Sequence, residues 1–541
     1  MALHIADLVE HAVDAVPDRL ALVAGEARLT YAELDAAANR FAHHLQHAGI
    51  APGEHVGLMA RNTAEHVVAM LGCFKARAVP INVNYRYVEA ELDHLLGDSG
   101  MVALVHEARY APVLDAVVPR HAALRHVVVL DDGVDARPTA YPWTGWAQAV
   151  AGESGERDFG PRSPDDVYIV YTGGTTGYPK GVMWRHEDVW RTLGGGLDFV
   201  TGEPLAEHDQ SRSALAPEQA LTCLHLGPVM HANGQWGMLL RFFGGHTNVL
   251  LPRFDPVQVW RTVETERVRT LSLIGDAMAR PLIEELERGD YDVASLATVT
   301  SAAAIFSVEV KERWLRALPD VVVLDVIGSS ETGMTGNGRI RPDALFDKGS
   351  LVEVGPETVV IDEEDRVLDL EADVGAIGRM ARRGSIPLGY LNDPEKTART
   401  FRTIDGVRHS VPGDYVQIEP GRRLTLLGRG SSCINTGGEK VYPEEVEVAL
   451  KSHPDVFDAL VLGLPDERYG QQVAALLQAR PGADLDVEDV RRHVRTRLSG
   501  YKVPRTVHVV EQVPRHVTGK ADYRRAREIS DALADAAGVG S

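Results

Sequence analysis

The chain has 541 residues, of which 44% are hydrophobic and 25% charged, proportions that exclude disorder as its main state. Its 56 basic and 77 acidic residues leave a net charge of −21, which repels polyphosphates at long range and argues against bulk DNA or RNA binding. Any phosphate ligand therefore needs a local site, and at roughly 100–200 residues per domain the length predicts about three folding units, or one large unit with a small one.

The N-terminal stretch MALHIADLVEHAVDAV carries Asp7, Glu10 and Asp14, so it does not read as a signal peptide. Ile5, Leu8, Val9, Ala12 and Val13 have the spacing of a helix packed on a core. From 16 to about 160, the apolar runs LALVAG, HVGLMA, AVPINV, ALVHE and HVVVL read as buried strands. The helical segments TYAELDAAANRFAHHLQHAG and TAEHVVAMLGCFKAR lie between them. This alternation predicts a parallel, doubly wound α/β sheet. The pattern resumes after 218 with TNVLLP, TLSLIG and VVVLDVIG. Residues 350–430 read as shorter strands and turns, a β-rich subdomain. From about 431 a small α+β module begins, with a helix at PEEVEVALKSH and strands at DALVLGLP, VAALLQAR and VHVVEQ. The end, SDALADAAGVGS, is expected to fray. Cys73, Cys223 and Cys433 are few, distant and odd in number, which fits a reducing cytoplasm and no disulfide framework. No apolar run is long enough to span a bilayer.

The most informative stretch is Tyr171-Thr-Gly-Gly-Thr-Thr-Gly-Tyr-Pro-Lys180-Gly181, after the strand-like VYIVY and before an expected helix. Its glycines let backbone N–H groups turn inward as an anion nest, Thr172, Thr175 and Thr176 add hydroxyls, and Lys180 adds a cation. The Gly-Lys-Ser/Thr ending of a Walker A loop is missing. This stretch resembles the phosphate-binding signature of the adenylate-forming superfamily, which includes acyl-CoA synthetases, peptide-synthetase adenylation domains and luciferases. Other motifs of that superfamily follow in order: Ser301-Ala-Ala-Ala304, Gly328-Ser-Ser-Glu331-Thr-Gly333, Gly413-Asp414, Gly428-Arg429, Gly437-Gly438-Glu439-Lys440-Val441 and Pro514-Arg-His-Val-Thr-Gly519-Lys520.

The resemblance covers nearly the whole chain and implies a large N-terminal domain (1–428), a hinge (429–432) and a small mobile C-terminal domain (433–541). It implies ATP (or an acyl adenylate), Mg²⁺ and CoA as ligands, with a carboxylic acid as the other substrate. Thr172, Gly174, Thr175, Thr176 and Gly177 then cradle phosphate. Ala303, Ala304 and Ser330 meet the nucleotide, Asp414 holds the ribose, and Arg429 stands at the domain junction. Glu331 holds Mg²⁺ and Lys520 serves adenylation. Both reactants of that step are anions, so positive charge is what the site must supply. Ser431 is the hinge residue, and Gly437 and Gly438 border the thiol tunnel. Gly227-Pro-Val-Met-His231-Ala-Asn-Gly234 resembles the segment between acyl and nucleotide sites, so His231, Asn233, Gly234 and Trp236 are the acyl-pocket candidates.

Three positions depart from the family pattern: Ile327 stands where an aromatic residue is usual, Gly173 where Ser is usual, and Ser431 where Asp or Lys is usual. The flanks MWRHED and GEKVYPEEVE resemble actinobacterial ligases of steroid side chains, which moves the expected substrate toward a bulky polycyclic acid. Alternatives are a ligase that runs only the thioesterification half-reaction, a non-catalytic nucleotide or acyl-CoA binding protein, and loading of a carrier protein. A homodimer is left open. The basic island Arg491, Arg492, Arg495, Arg497, Lys502 and Arg505 reads either as a patch for CoA phosphates or as a solvated helix face. His43 and His47 have helical i, i+4 spacing without the HExxH pattern of a zinc site.

Overall fold

A computed structural model describes residues 3–172, 179–198, 201–302, 304, 306–340, 351–429, 434–436, 439–466, 470–498, 500–516 and 521–538, without the side chains of 429, 435, 439, 440, 470 and 534–538. The chain forms the expected N-terminal helix, Ile5–Ala15, capped by the His4 side chain accepting from Ala6 N–H. Its predicted apolar face is buried.

Three sheets organise the rest. An eight-stranded sheet has the strand Val79–Asn82 beside His55–Met59 and Val167–Thr172, with Ala103–Glu107 and His126–Leu130 continuing it in parallel. A sixteen-stranded sheet has a parallel part, ordered Val322–Ser329, Thr298–Ala302, Thr270–Leu273, Thr222–His225, Thr247–Leu250 and Leu20–Ala24. Helices Pro256–Thr265, Gly275–Arg288 and Val308–Ala317 cover one face of that part through Trp260, Leu282 and Trp314, all fully buried. A separate five-stranded sheet, built from Ile434–Thr436, Glu439–Val441, Val456–Asp466, Gly470–Ala479 and Thr506–Val509, carries the C-terminal module.

Four expectations need correction or refinement. Leu20–Ala24 is a strand and forms an antiparallel hairpin with Ala27–Thr30, but it does not join the sheet of His55–Met59, Val79–Asn82, Ala103–Glu107 and His126–Leu130. It pairs in parallel with Thr247–Leu250, across to the other large sheet. The β-rich stretch after 350 extends the sixteen-stranded sheet through Leu351–Val354, which pairs with Gly333–Ile340 on one side and Arg423–Arg429 on the other. The glycine-rich stretch is followed by a strand, Lys180–Arg185, that returns antiparallel against Val167–Thr172. Val182 and Trp184 are buried while Met183 and Arg185 are not, a period of two that favours a strand. The helix His186–Leu193 begins only after it. Finally, the C-terminal helix Tyr523–Gly538 reaches into the segment expected to fray, 530–541, whose last three positions lie outside the described residues. Ser530 is buried there, and the alanines that follow are strong helix formers.

Burial holds several histidines neutral. It lowers His106 to about 4, against a backbone hydrogen bond at Glu107 that works the other way. His225 falls to about 4 by burial and then by the Arg241 charge. A base depressed when folded contributes its stability above its unfolded value, near 6.5, and loses it as pH falls. Glu10, which contacts with Arg162 and Lys75 hold at about 2 despite burial, does not titrate between pH 7 and 5.5. Each of these two histidines should therefore remove about 1.4 kcal/mol per pH unit below 6.5. Urea melts at pH 7.5 and 5.5 should differ by about 3 kcal/mol from this pair. Equal stability at both values would contradict their burial as neutral bases.

Candidate active site

The glycine-rich hairpin, the His231 segment and the Glu331 turn lie where the C-terminal ends of the parallel strands of both large sheets meet. Asn82, 4% exposed, ends its strand with a fully used carboxamide. Its Oδ1 accepts from Tyr171 N–H at 2.7 Å, and its Nδ2 donates to Tyr171 O at 2.9 Å and to Met230 O at 2.8 Å. One buried side chain thus ties the base of the glycine-rich hairpin to the His231 segment. Asn62 adds a second tie by accepting from Val229 N–H at 2.8 Å. Sequence reading missed both residues. The available signal was an amide placed at the end of an apolar strand, where no packing reason calls for one.

Thr172 faces Lys180 in the hairpin register. Gly174, Thr175, Thr176 and Gly177 lie outside the described residues, as do Gly173 and Ala303. The Lys180 ammonium pairs with the Asp393 carboxylate and holds it below the ordinary range. In this arrangement that cation is committed to a protein partner, so a contact with phosphate needs an exchange of partners.

Glu331 sits in the turn between the antiparallel strands Val322–Ser329 and Gly333–Ile340. It is 8% exposed, and Tyr390 Oη donates to its Oε1 at 2.8 Å. Ser410 Oγ donates to its backbone carbonyl at 2.5 Å, and Trp184 Nε1 donates to Ser330 O at 3.0 Å. The carboxylate is therefore oriented as well as buried. A single oriented carboxylate beside hydroxyl groups is a hard oxygen donor set, which suits Mg²⁺ held jointly with phosphates. Tyr390 was also missed from sequence, because it is contributed by the distant two-residue strand Gly389–Tyr390.

Asp414 and Arg429, fifteen residues apart in sequence, are direct cross-strand partners. Ile327 packs into the apolar core with Val352, Val360 and Val416, which accounts for an aliphatic residue there. Ala304 follows the strand that ends at Ala302. His231 is the N-cap of the helix Ala232–Phe243, and Asn233 and Trp236 lie half-buried on it. Trp236 meets Trp184 edge to face, with ring centres 6.2 Å apart. A Cβ at Gly234 would lie 2.4 Å from Pro228 O, so only glycine lets the loop close onto the helix.

The C-terminal module rests on the helices that cover the sixteen-stranded sheet. Lys451 Nζ lies 3.7 Å from Asp276, Arg480 pairs with Glu309 at 2.5 Å, and the Arg280 guanidinium sits 5.0 Å from the Phe457 ring centre. Glu444 reaches Gly428 so closely that a Cβ there would stand 1.8 Å from its Oε2. Lys520, Ser431, Gly437 and Gly438 lie outside the described residues, as does the Arg429 side chain. In the basic island, Arg491 pairs with Glu488, Arg492 with Asp489 at 2.6 Å, and Lys502 with Glu445 at 2.6 Å. These three serve local ion pairs, as a solvated face does. His43 bonds Ser154 O and Asp158 rather than His47. Among the described residues, no helix is long and apolar enough to cross a membrane.

Two wound sheets whose strand ends share a glycine-rich hairpin and a buried glutamate, with a small module docked over them, define the architecture of an adenylate-forming enzyme. The AMP-binding enzyme family matches residues 9–390, and the AMP-binding enzyme C-terminal domain matches residues 445–520. The chain belongs to the AMP-binding enzyme family. A Mycobacterium tuberculosis (strain ATCC 25618 / H37Rv) relative, named medium/long-chain-fatty-acid–CoA/3-oxocholest-4-en-26-oate–CoA ligase, is 49% identical over 533 residues, 98% of this chain and 97% of that one. A 3-oxocholest-4-en-26-oate–CoA ligase from Rhodococcus rhodochrous is 47% identical over 539 residues, 98% of this chain and 96% of that one. The fold is shared with the anthranilate CoA ligase AuaEII in complex with anthranoyl-AMP (TM-score 0.83, 22% identity, 98% of both chains). It is shared equally with ATP-bound MatB from Rhodopseudomonas palustris (TM-score 0.83, 24% identity, 98% of this chain and 99% of that one).

Proposed function

We propose that the chain is an acyl-CoA ligase that activates a bulky lipophilic carboxylic acid, steroid-like in shape, through an acyl adenylate. The observation that carries this reading is near-full-length identity of 47–49% to ligases named for 3-oxocholest-4-en-26-oate. In the first step a carboxylate oxygen attacks the α-phosphorus of ATP and pyrophosphate leaves. In the second the CoA sulfur attacks the acyl carbon, its proton is lost, and AMP leaves. The acid, ATP and CoA are the partners this reading requires.

Glu331, oriented by Tyr390, would hold Mg²⁺, which supplies positive charge to the phosphates. Thr172 and residues 174–177 are assigned to the phosphates, Ala303, Ala304 and Ser330 to the nucleotide, and Asp414 with Arg429 to ribose and hinge. His231, Asn233, Gly234 and Trp236 are assigned to the acyl end, and Lys520 to charge stabilisation in the first step. Gly437 and Gly438 are assigned to the thiol path. Residues 1–428, 429–432 and 433–541 are the domain, hinge and mobile domain of this reading.

Mass spectrometry of protein incubated with ATP, Mg²⁺, CoA and a panel of steroid, fatty and aryl acids tests it. A steroid acyl-CoA with stoichiometric AMP is expected. Product from aryl acids alone would overturn the substrate class. CoA thioester formed only when an acyl adenylate is supplied would establish the half-reaction alternative, for which the replacement of an aromatic by Ile327 speaks.

A further inference from the structure

The parallel part of the sixteen-stranded sheet is asymmetric between its faces. A parallel sheet covered on both sides is normally apolar on both. Here Leu224, Val249, Leu271 and Val299 form one face, in register and fully buried under helices. The opposite face carries His225, Asn248, Thr270, Ser272, Thr298 and Thr300 beside the buried Cys223 and Leu250, also in register, and Ser272, Thr298 and Thr300 are only half-buried.

The helix Ala232–Phe243 lies along this polar face. A Cβ at Gly237 would be 3.2 Å from His225 Nδ1. The helix buries Met238, Leu239, Phe242 and Phe243 elsewhere. Its Asn233, Gly237 and Arg241, spaced by four, form a half-open stripe. The stripe runs from the His231 end of the helix to Arg241, and we take the space between it and the polar face as a groove. Ten residues at 1.5 Å each make it about 15 Å long.

The far end of this groove is polar and incompletely satisfied. Among the described residues, the Arg241 guanidinium has no ion pair or hydrogen bond. Asn248, fully buried, accepts a hydrogen bond from His225 Nε2 through Oδ1 at 2.8 Å. Its Nδ2 has no hydrogen-bond partner among the described residues. Burial, and then the Arg241 charge, lower His225 and His246 to about 4, so both are neutral at pH 7. The arrangement presents a cation and an orphan amide donor, and offers no carboxylate to either. Such a site suits an acceptor oxygen and penalises a ligand that brings only hydrocarbon.

We propose that this groove holds the body of the acid and that Arg241, supported by the His225–Asn248 pair, receives a carbonyl oxygen at the end remote from the carboxylate. The inference rests on the ligase reading above and adds a discriminating contact to it. The acid named for the relatives carries an oxo group at the opposite end from its carboxylate, which is the placement the groove asks for.

The test compares kcat/KM for 3-oxocholest-4-en-26-oate, its 3-deoxy analogue and palmitate, in wild type, Arg241→Met and Arg241→Lys. Wild type should prefer the oxo acid over the deoxy acid by about tenfold or more. Arg241→Met should bring that ratio close to one, and Arg241→Lys should keep part of it, with circular dichroism confirming folded protein. If Arg241→Met does not fold, the ratio in Arg241→Lys alone must still fall below wild type. A wild-type ratio near one, or a ratio that Arg241 variants leave intact, overturns the inference while palmitate turnover keeps the ligase reading standing. No acyl-CoA from any acid, palmitate included, overturns the ligase reading and this inference with it.

Discussion

Lys520→Ala should lower the adenylation rate by about a hundredfold or more, yet leave CoA thioester formation from a synthetic acyl adenylate within about threefold of wild type. The asymmetry follows from charge. In the first step two anions meet, and negative charge builds on the α-phosphate, where a compact ammonium on a flexible stem is most useful. In the second step the attacking sulfur meets an acyl carbon and AMP departs, so that cation has no corresponding task. ATP–pyrophosphate exchange reads the first step, and product formation from the adenylate reads the second. Equal loss in both would sink the idea that the C-terminal domain exchanges positions between steps. Such an exchange must break the contacts that now hold the module, Lys451 with Asp276 and Arg480 with Glu309.

Asn82→Ala should have the largest effect of any substitution without a direct contact to a reacting atom. The side chain satisfies Tyr171 N–H, Tyr171 O and Met230 O together, in a place closed to water. Removing it leaves buried donors and acceptors unpaired, at a cost of about 2–4 kcal/mol in stability. It also releases the base of the glycine-rich hairpin from the His231 segment. A shift of about 1 Å in reacting groups is worth about a hundredfold in rate, so ATP–pyrophosphate exchange should fall by that order. Urea melts and exchange assays on the same preparation separate the two effects. Unchanged stability would show that another group takes over the three hydrogen bonds.

Local structure was legible wherever one period dominated. The helix Ile5–Ala15 and the strands His55–Met59 and Ala103–Glu107 follow directly from spacing and apolar runs. Motif order drew attention to Glu331, which lies in the turn before Gly333, and to Asp414 and Arg429, which follow Gly413 and Gly428 and pair across two strands. Long-range pairing was not legible. Nothing in LALVA specifies Thr247–Leu250 as its neighbour, since any apolar edge of matching length satisfies the same pattern. Tyr390 and Asn82 escaped for a related reason: their roles are set by partners 59 and 89 residues away, which local spacing does not encode. The glycine-rich stretch misled about its sequel because a phosphate loop feeds either a helix or a returning strand, and only the alternation of Val182 and Trp184 distinguishes them.

The pairing of Leu22 with Asn248 also sets a timetable for synthesis. At about 5–20 residues per second, the ribosome needs roughly ten to fifty seconds to travel from one strand to the other. During that interval the hairpin with Ala27–Thr30 shields one edge of Leu20–Ala24, and the other edge stays open. An apolar strand with an open edge is a template for the wrong neighbour. Leu20–Ala24 thus waits until Thr247–Leu250 has been made before its second edge can pair, and the nascent chain has a long window in which to aggregate or to engage a chaperone.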